Sequence, residues 1–134
     1  MSRDEALRSY LKTACEEPFV YGRNDCGHWV GRWVERCRGV NPFAAYLDRY
    51  TTKIGCARVV NRAGGLLALA HREFARAGMS GIEPSSAIMG DVGCLSTEAG
   101  PALMIKASGQ RWAWKGGDTV QCGAEWPVLA AWRV

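Results

Sequence analysis

Pro18-Phe19-Val20-Tyr21-Gly22-Arg23-Asn24-Asp25-Cys26-Gly27-His28-Trp29-Val30 is the stretch on which the fold turns. An aromatic and apolar run meets a glycine, then two residues that cap helices well, then a cysteine. Beyond it Trp29, Val30, Trp33, Val34 and Cys37 recur at the spacing of one helix face, and Gly39 supplies a stop. The spacing predicts a helix from about Cys26 to Arg38, with Cys26 in its first turn. A thiol there feels the positive end of the helix dipole, which favours the thiolate. Asp25 acts the other way, because an adjacent carboxylate raises a thiol's pKa. His28 lies two positions past Cys26, roughly 200° around a helix, so the two side chains diverge.

Upstream, Ser2-Arg3-Asp4-Glu5 is a capping box. Ala6, Leu7, Tyr10, Leu11, Ala14 and Cys15 then mark one face of a first helix, with Cys15 packed in the core, and Pro18 ends it. Downstream, Val40-Asn41-Pro42 is a turn, and 43–47 is a short helix or a packed loop. A third helix is capped by Thr51 or Thr52 and turns Ile54, Cys56, Ala57, Val59 and Val60 inward. Gly64-Gly65 breaks it. A fourth helix runs from Leu66 to Ala77, stopped by Gly78, with His71 on its surface or half-buried.

From Met79 the pattern changes. A loop over 81–87 precedes short apolar runs at Asp91–Leu95, Ala102–Lys106, Arg111–Trp114, Thr119–Cys122 and Val128–Arg133, each set off by turn residues such as Gly100-Pro101. Strands at this spacing form an antiparallel meander. Residues 1–134 are expected to be a single domain, with a helical part over 1–78 and a sheet part over 88–134. The class is α+β: N-terminal helices packed against one side of a strongly curved C-terminal antiparallel sheet.

The chain has 134 residues, 48% of them apolar, enough for one globular core. No run approaches a membrane span, and the charged start lacks the apolar core of a signal peptide, so no membrane insertion is expected. Synthesis in a cytosol would keep Cys15, Cys26, Cys37, Cys56, Cys94 and Cys122 reduced. No pair has CxxC spacing and the histidines are His28 and His71, so neither a metal nor a cofactor is expected. The net charge of +4 is spread along the chain, without the dense basic stripe that nucleic acid requires.

Trp29 and Trp33 fall on the apolar face of the second helix and belong to the core. Trp112 and Trp114 alternate with Ala113 and share one face of a strand. Trp126, before Pro127 in a loop, is expected to be an exposed anchor. Together Trp112, Trp114 and Trp126 make a candidate binding surface.

The segment Phe19-Val20-Tyr21-Gly22 followed by Asp25-Cys26 and the apolar helix resembles the nucleophile segment of papain-like cysteine peptidases of the NlpC type. Met89-Gly90-Asp91-Val92 resembles the Gly-Asp that opens that family's first core strand. The whole chain more closely resembles a family of small, uncharacterised phage and prophage proteins found with tail genes. Tyr50-Thr51-Thr52, Gly55-Cys56-Ala57-Arg58, Gly64-Gly65-Leu66, Gly90-Asp91-Val92, Gly100-Pro101-Ala102 and the terminal Ala131-Trp132-Arg133-Val134 carry that likeness. The resemblance implies a papain-like fold and a site at Cys26. The chain departs from the peptidases at one position: they place a catalytic histidine on the second core strand, about where Ala102 stands, and both histidines here lie upstream.

Three functions follow from this. In one, Cys26 is the nucleophile of a peptidase or amidase acting on cell-wall peptides, beside Asp25, with His28 or His71 as an unorthodox base. In the second, the domain is a structural or assembly component among phage tail or baseplate proteins, and Cys26 is a relic or a packed thiol. In the third, it binds a peptide or glycan through its tryptophans. The resemblance implies synthesis in the host cytoplasm and a place in the virion tail.

Overall fold

The structure is a computed structural model and describes residues 2–134. Helix α1 (Arg3–Ala14) starts where Glu5 N–H donates to Ser2 Oγ at 3.2 Å, as a capping box requires. It stops at Ala14, so Cys15 becomes the cap residue and is exposed, not packed in the core. Helix α2 (Cys26–Arg38) is capped by Asp25 and closed by Gly39 in a left-handed conformation. Its last turn runs past the core, to which α2 contributes Trp29, Val30, Trp33 and Val34, and Cys37 is exposed. A single 3-10 turn follows at Ala44–Tyr46.

Helix α3 (Lys53–Arg62) is capped by Thr52. Its expected inward face is not buried: Ile54 is 68% exposed, Ala57 is exposed, and Cys56, Val59 and Val60 are half-buried. Helix α4 (Leu66–Arg76) does pack inward, through Leu69, Ala70 and Phe74. Phe74 meets Trp132 edge-on at 4.7 Å, which docks the last strand against α4.

Among the described residues, six strands form one open antiparallel sheet: β1 (Gly81–Ile82), β2 (Val92–Thr97), β3 (Gly100–Lys106), β4 (Trp112–Trp114), β5 (Gln121–Gly123) and β6 (Val128–Trp132). Their order is β1-β6-β2-β3-β4-β5. Strands β2 to β5 are the expected meander. The last strand instead crosses to the far edge and inserts between β1 and β2, with a bulge opposite Cys94 and Leu95. The sheet also begins earlier than the 88–134 expected, at Gly81, and Gly100-Pro101 belongs to β3 rather than to a turn.

Side chains alternate between two cores. Val92, Cys94, Leu103, Ile105, Ala113 and Trp132 face the helices. Leu95, Ala102, Met104, Trp112 and Ala131 fill the opposite face. Trp112 is therefore buried, under the Lys106 ammonium 4.9 Å from its ring centroid. Its ring lies over Gly93, where a Cβ would stand only 2.9 Å away. Trp126 is no free anchor either: it is half-buried and meets Trp114 edge-on at 6.2 Å. The tryptophans expected as a binding surface thus mostly close the second core.

The Gly90-Asp91 pair ties the chain ends together. Trp33 donates its indole N–H to the Gly90 carbonyl at 2.8 Å. The fully buried Asp91 carboxylate holds Arg3 at 2.9 Å and Arg133 at 3.3 Å, and accepts from the N–H groups of Ile88 and Val134. With its carboxylate fully buried and shared among these partners, Asp91 makes the residues that resemble a peptidase motif a structural clamp.

Candidate functional site

The loop that presents Cys26 is held from several directions. Val20 and Asn24 exchange backbone hydrogen bonds, making a tight turn with Gly22 at φ 85°. A Cβ on Gly22 would collide with the Tyr50 carbonyl oxygen, so only glycine lets the 48–50 segment close over the turn. Phe19 N–H donates to Asp118 Oδ1 at 2.7 Å. The ammonium of Lys115, fully buried, donates to the carbonyls of Ala14 (2.8 Å), Glu17 (2.9 Å) and Asp118 (3.4 Å). It joins the end of α1, the approach to Cys26 and the loop after β4 at one point.

Asp25 is likewise engaged on every side. Its Oδ1 accepts from His28 N–H at 3.0 Å, which caps α2. Its Oδ2 accepts from Gly22 N–H at 3.0 Å and from the Tyr50 hydroxyl at 2.6 Å. Asp25 fixes the turn and the helix start through both carboxylate oxygens.

Cys26 lies on the floor of a cleft of about 540 Å³. Phe19, Tyr21, Tyr46, Tyr50, Leu66 and Trp114 give it a largely aromatic and apolar wall. Helix α3 forms another wall through Lys53, Cys56, Ala57, Val59 and Val60, which explains why that face is amphipathic yet unburied. The Trp114 side chain and the Leu103 backbone on β3 border the Cys26 thiol. Burial, the Asp25 carboxylate and the Cys56 thiol together push the Cys26 thiol up to about 12, against the lowering by Leu103 and Trp114. The helix dipole does not prevail. Burial also raises Cys56, beside Tyr50.

The two histidines do not form a dyad with this thiol. His28 is buried and lines the cleft, its ring tilted against that of Tyr50 with centroids 5.9 Å apart. Neither ring nitrogen has a hydrogen-bond partner of ordinary geometry, and burial lowers its pKa so that it stays neutral. His71 is exposed, edge-on to Trp132 at 5.0 Å; Leu66 and Leu69 of the same helix reach the cleft, His71 does not. On β3 it is Pro101 and Leu103 that face the cleft. Ala102, the position compared with the peptidase histidine, points into the opposite core. Among the described residues, no three His, Cys, Asp or Glu side chains converge as a metal site would need.

Sequence reasoning found Cys26, Asp25 and His28 and missed Tyr50, Cys56 and Lys115. Phe19, Tyr21 and Trp114, singled out in the sequence, do line the cleft, and of the three missed residues Tyr50, an aromatic before a capped helix, carried a local signal. Lys115, flanked by Trp114 and Gly116, carries no local sign of its burial.

The model of the family described as Domain of unknown function (DUF6950) matches residues 2–134, and the chain belongs to that family. No curated protein and no solved structure matches it. No helix among the described residues is long and apolar enough to cross a membrane.

Proposed function

We propose that this member of the family is a papain-like binding domain of a phage tail, in which the cleft serves as a docking site and the peptidase chemistry is lost. The observation that carries this reading is the cleft floor: a thiol pushed up to about 12, with Leu103 rather than an imidazole facing it from β3. A protonated thiol is a weak nucleophile, and without a base nothing takes its proton or returns one to a leaving group. Support for the papain-like scaffold comes from the order of parts. A cysteine opens a buried helix, and that helix packs on an antiparallel sheet that follows the helices in the chain.

The tail role is supported by the resemblance of the motifs at 50–58, 64–66, 90–92, 100–102 and 131–134 to those of phage and prophage proteins found with tail genes. A cleft of this size with aromatic walls and a lysine at its rim suits an extended apolar segment of a tail or baseplate partner. The domain would be made in the host cytoplasm and carried into the virion tail.

Complementation of tail assembly tests the proposal. Cys26→Ala should support assembly at the wild-type level, while Ala57→Asp, at an exposed position of the cleft wall, should abolish it without lowering the melting temperature. Loss of assembly in Cys26→Ala, together with cleavage of cell-wall peptides by the wild-type protein, would establish the peptidase instead.

A further inference from the structure

We propose that a second pocket, between α1 and α2, is a carboxylate-binding site. It encloses about 220 Å³, bordered by Tyr10, Thr13, Glu17, Trp29, Arg32 and Arg36, and shares no lining residue with the Cys26 cleft.

Two N–H groups of its wall have no acceptor. They are Trp29 Nε1 and Arg32 Nε, both buried, and Trp29 as a whole is only 1% exposed. Both groups donate and cannot accept, so the partner each lacks is an acceptor. A buried donor left unmatched is costly, and native structures seldom tolerate one without a ligand or an ordered solvent molecule. The guanidinium of Arg32 is held in place next to its unmatched Nε: Nη2, which shares an edge with Nε, donates to Asn24 Oδ1 and to Glu17 Oε2. Nε itself is left without an acceptor, with the Tyr10 hydroxyl beside the same guanidinium.

Charge and shape narrow the ligand. Arg32 and Arg36 favour an anion, and the Glu17 carboxylate beside them disfavours a dianion such as phosphate. The rings of Tyr10 and Trp29, stacked 5.7 Å apart, and the Ala14 methyl offer apolar surface for a short stem. A carboxylate on a short aliphatic stem meets all three conditions. Its source is an acidic side chain of a partner's extended peptide or a small free carboxylate. The site stands whether or not the cleft docks a tail protein.

The test follows the Trp29 indole N–H by NMR in the intact protein, with its signal assigned by Trp29→Phe. Propionate should shift it saturably, phosphate more weakly, and neutral propionamide not at all. A capped Ala-Glu-Ala tripeptide that binds at least as tightly as propionate identifies a partner's acidic side chain. Exclusion of the tripeptide identifies a free carboxylate. Arg32→Lys, which keeps the charge and loses the Nε donor, should weaken propionate binding by about tenfold. The other indole signals report whether that variant still folds, and Thr13→Val on the pocket rim gives a second, milder test. An unmoved Trp29 signal, or an equal response to propionate and propionamide, overturns the site.

Discussion

The Tyr50 hydroxyl donates a 2.6 Å hydrogen bond to Oδ2 of Asp25, the carboxylate that also caps α2 and anchors the Gly22 turn. The residue next to the thiol is therefore a structural hub. Tyr50→Phe should lower the unfolding free energy by about 1.5–3 kcal/mol, the range for a hydrogen bond to a charged group. Asp25→Ala should cost more, since three donors lose their acceptor. Chemical denaturation measures both, and a neutral Tyr50→Phe would show that the hydroxyl holds nothing.

Lys115 makes a parallel case. Its buried ammonium serves three carbonyls from two distant parts of the chain. Lys115→Met keeps most of the stem and removes the donors, so stability should fall by about 3 kcal/mol or more. A stable Lys115→Met protein with an unchanged urea midpoint would contradict that role.

His28 sets a limit on acid stability. Its folded pKa lies below the ordinary 6.5, so as the pH drops the unfolded chain takes up the proton first. The contribution is fully present above 6.5 and is lost as the pH falls toward the depressed folded value. It steepens the acid limb by up to one proton, about 1.4 kcal/mol per pH unit. His28→Phe should flatten the stability profile below 6.5, as read by denaturant midpoints. An identical acid limb in the variant would show that the ring charges freely in the folded state.

The parity of β3 can be tested by placing the missing imidazole. Leu103→His points a base into the cleft and should speed alkylation of Cys26 at neutral pH several-fold. Ala102→His sends the same ring into the opposite core, so it should destabilise the fold and leave the thiol no faster. Faster alkylation in Ala102→His alone would reverse the assignment of faces.

Some of this was legible from local signals and some was not. Asp25 as the α2 cap, Gly39 as its stop and the Gly64-Gly65 break follow from backbone preferences that need no knowledge of the rest of the chain. The place of β6 between β1 and β2 is a long-range pairing, and its apolar run suits several neighbours equally. The inner face of α3 shows a further limit. An amphipathic pattern marks a face turned from bulk solvent, but not whether it meets side chains or the wall of a cleft. On β3 a one-residue difference, Ala102 against Leu103, decides which face the site sees, because strand periodicity is two.

On the proposed function, Cys26 lines a docking cleft and is not an activated nucleophile. The most direct measurement is the rate of Cys26 alkylation in the folded protein as a function of pH, with the exposed Cys15 as internal reference. Cys26 should react far more slowly than Cys15 at neutral pH, and its rate should still be rising beyond 9.0, the ordinary thiol value, toward an inflection at about 12. Labelling of Cys26 faster than Cys15, with an inflection at or below neutral pH, would contradict the account and return the residue to catalysis.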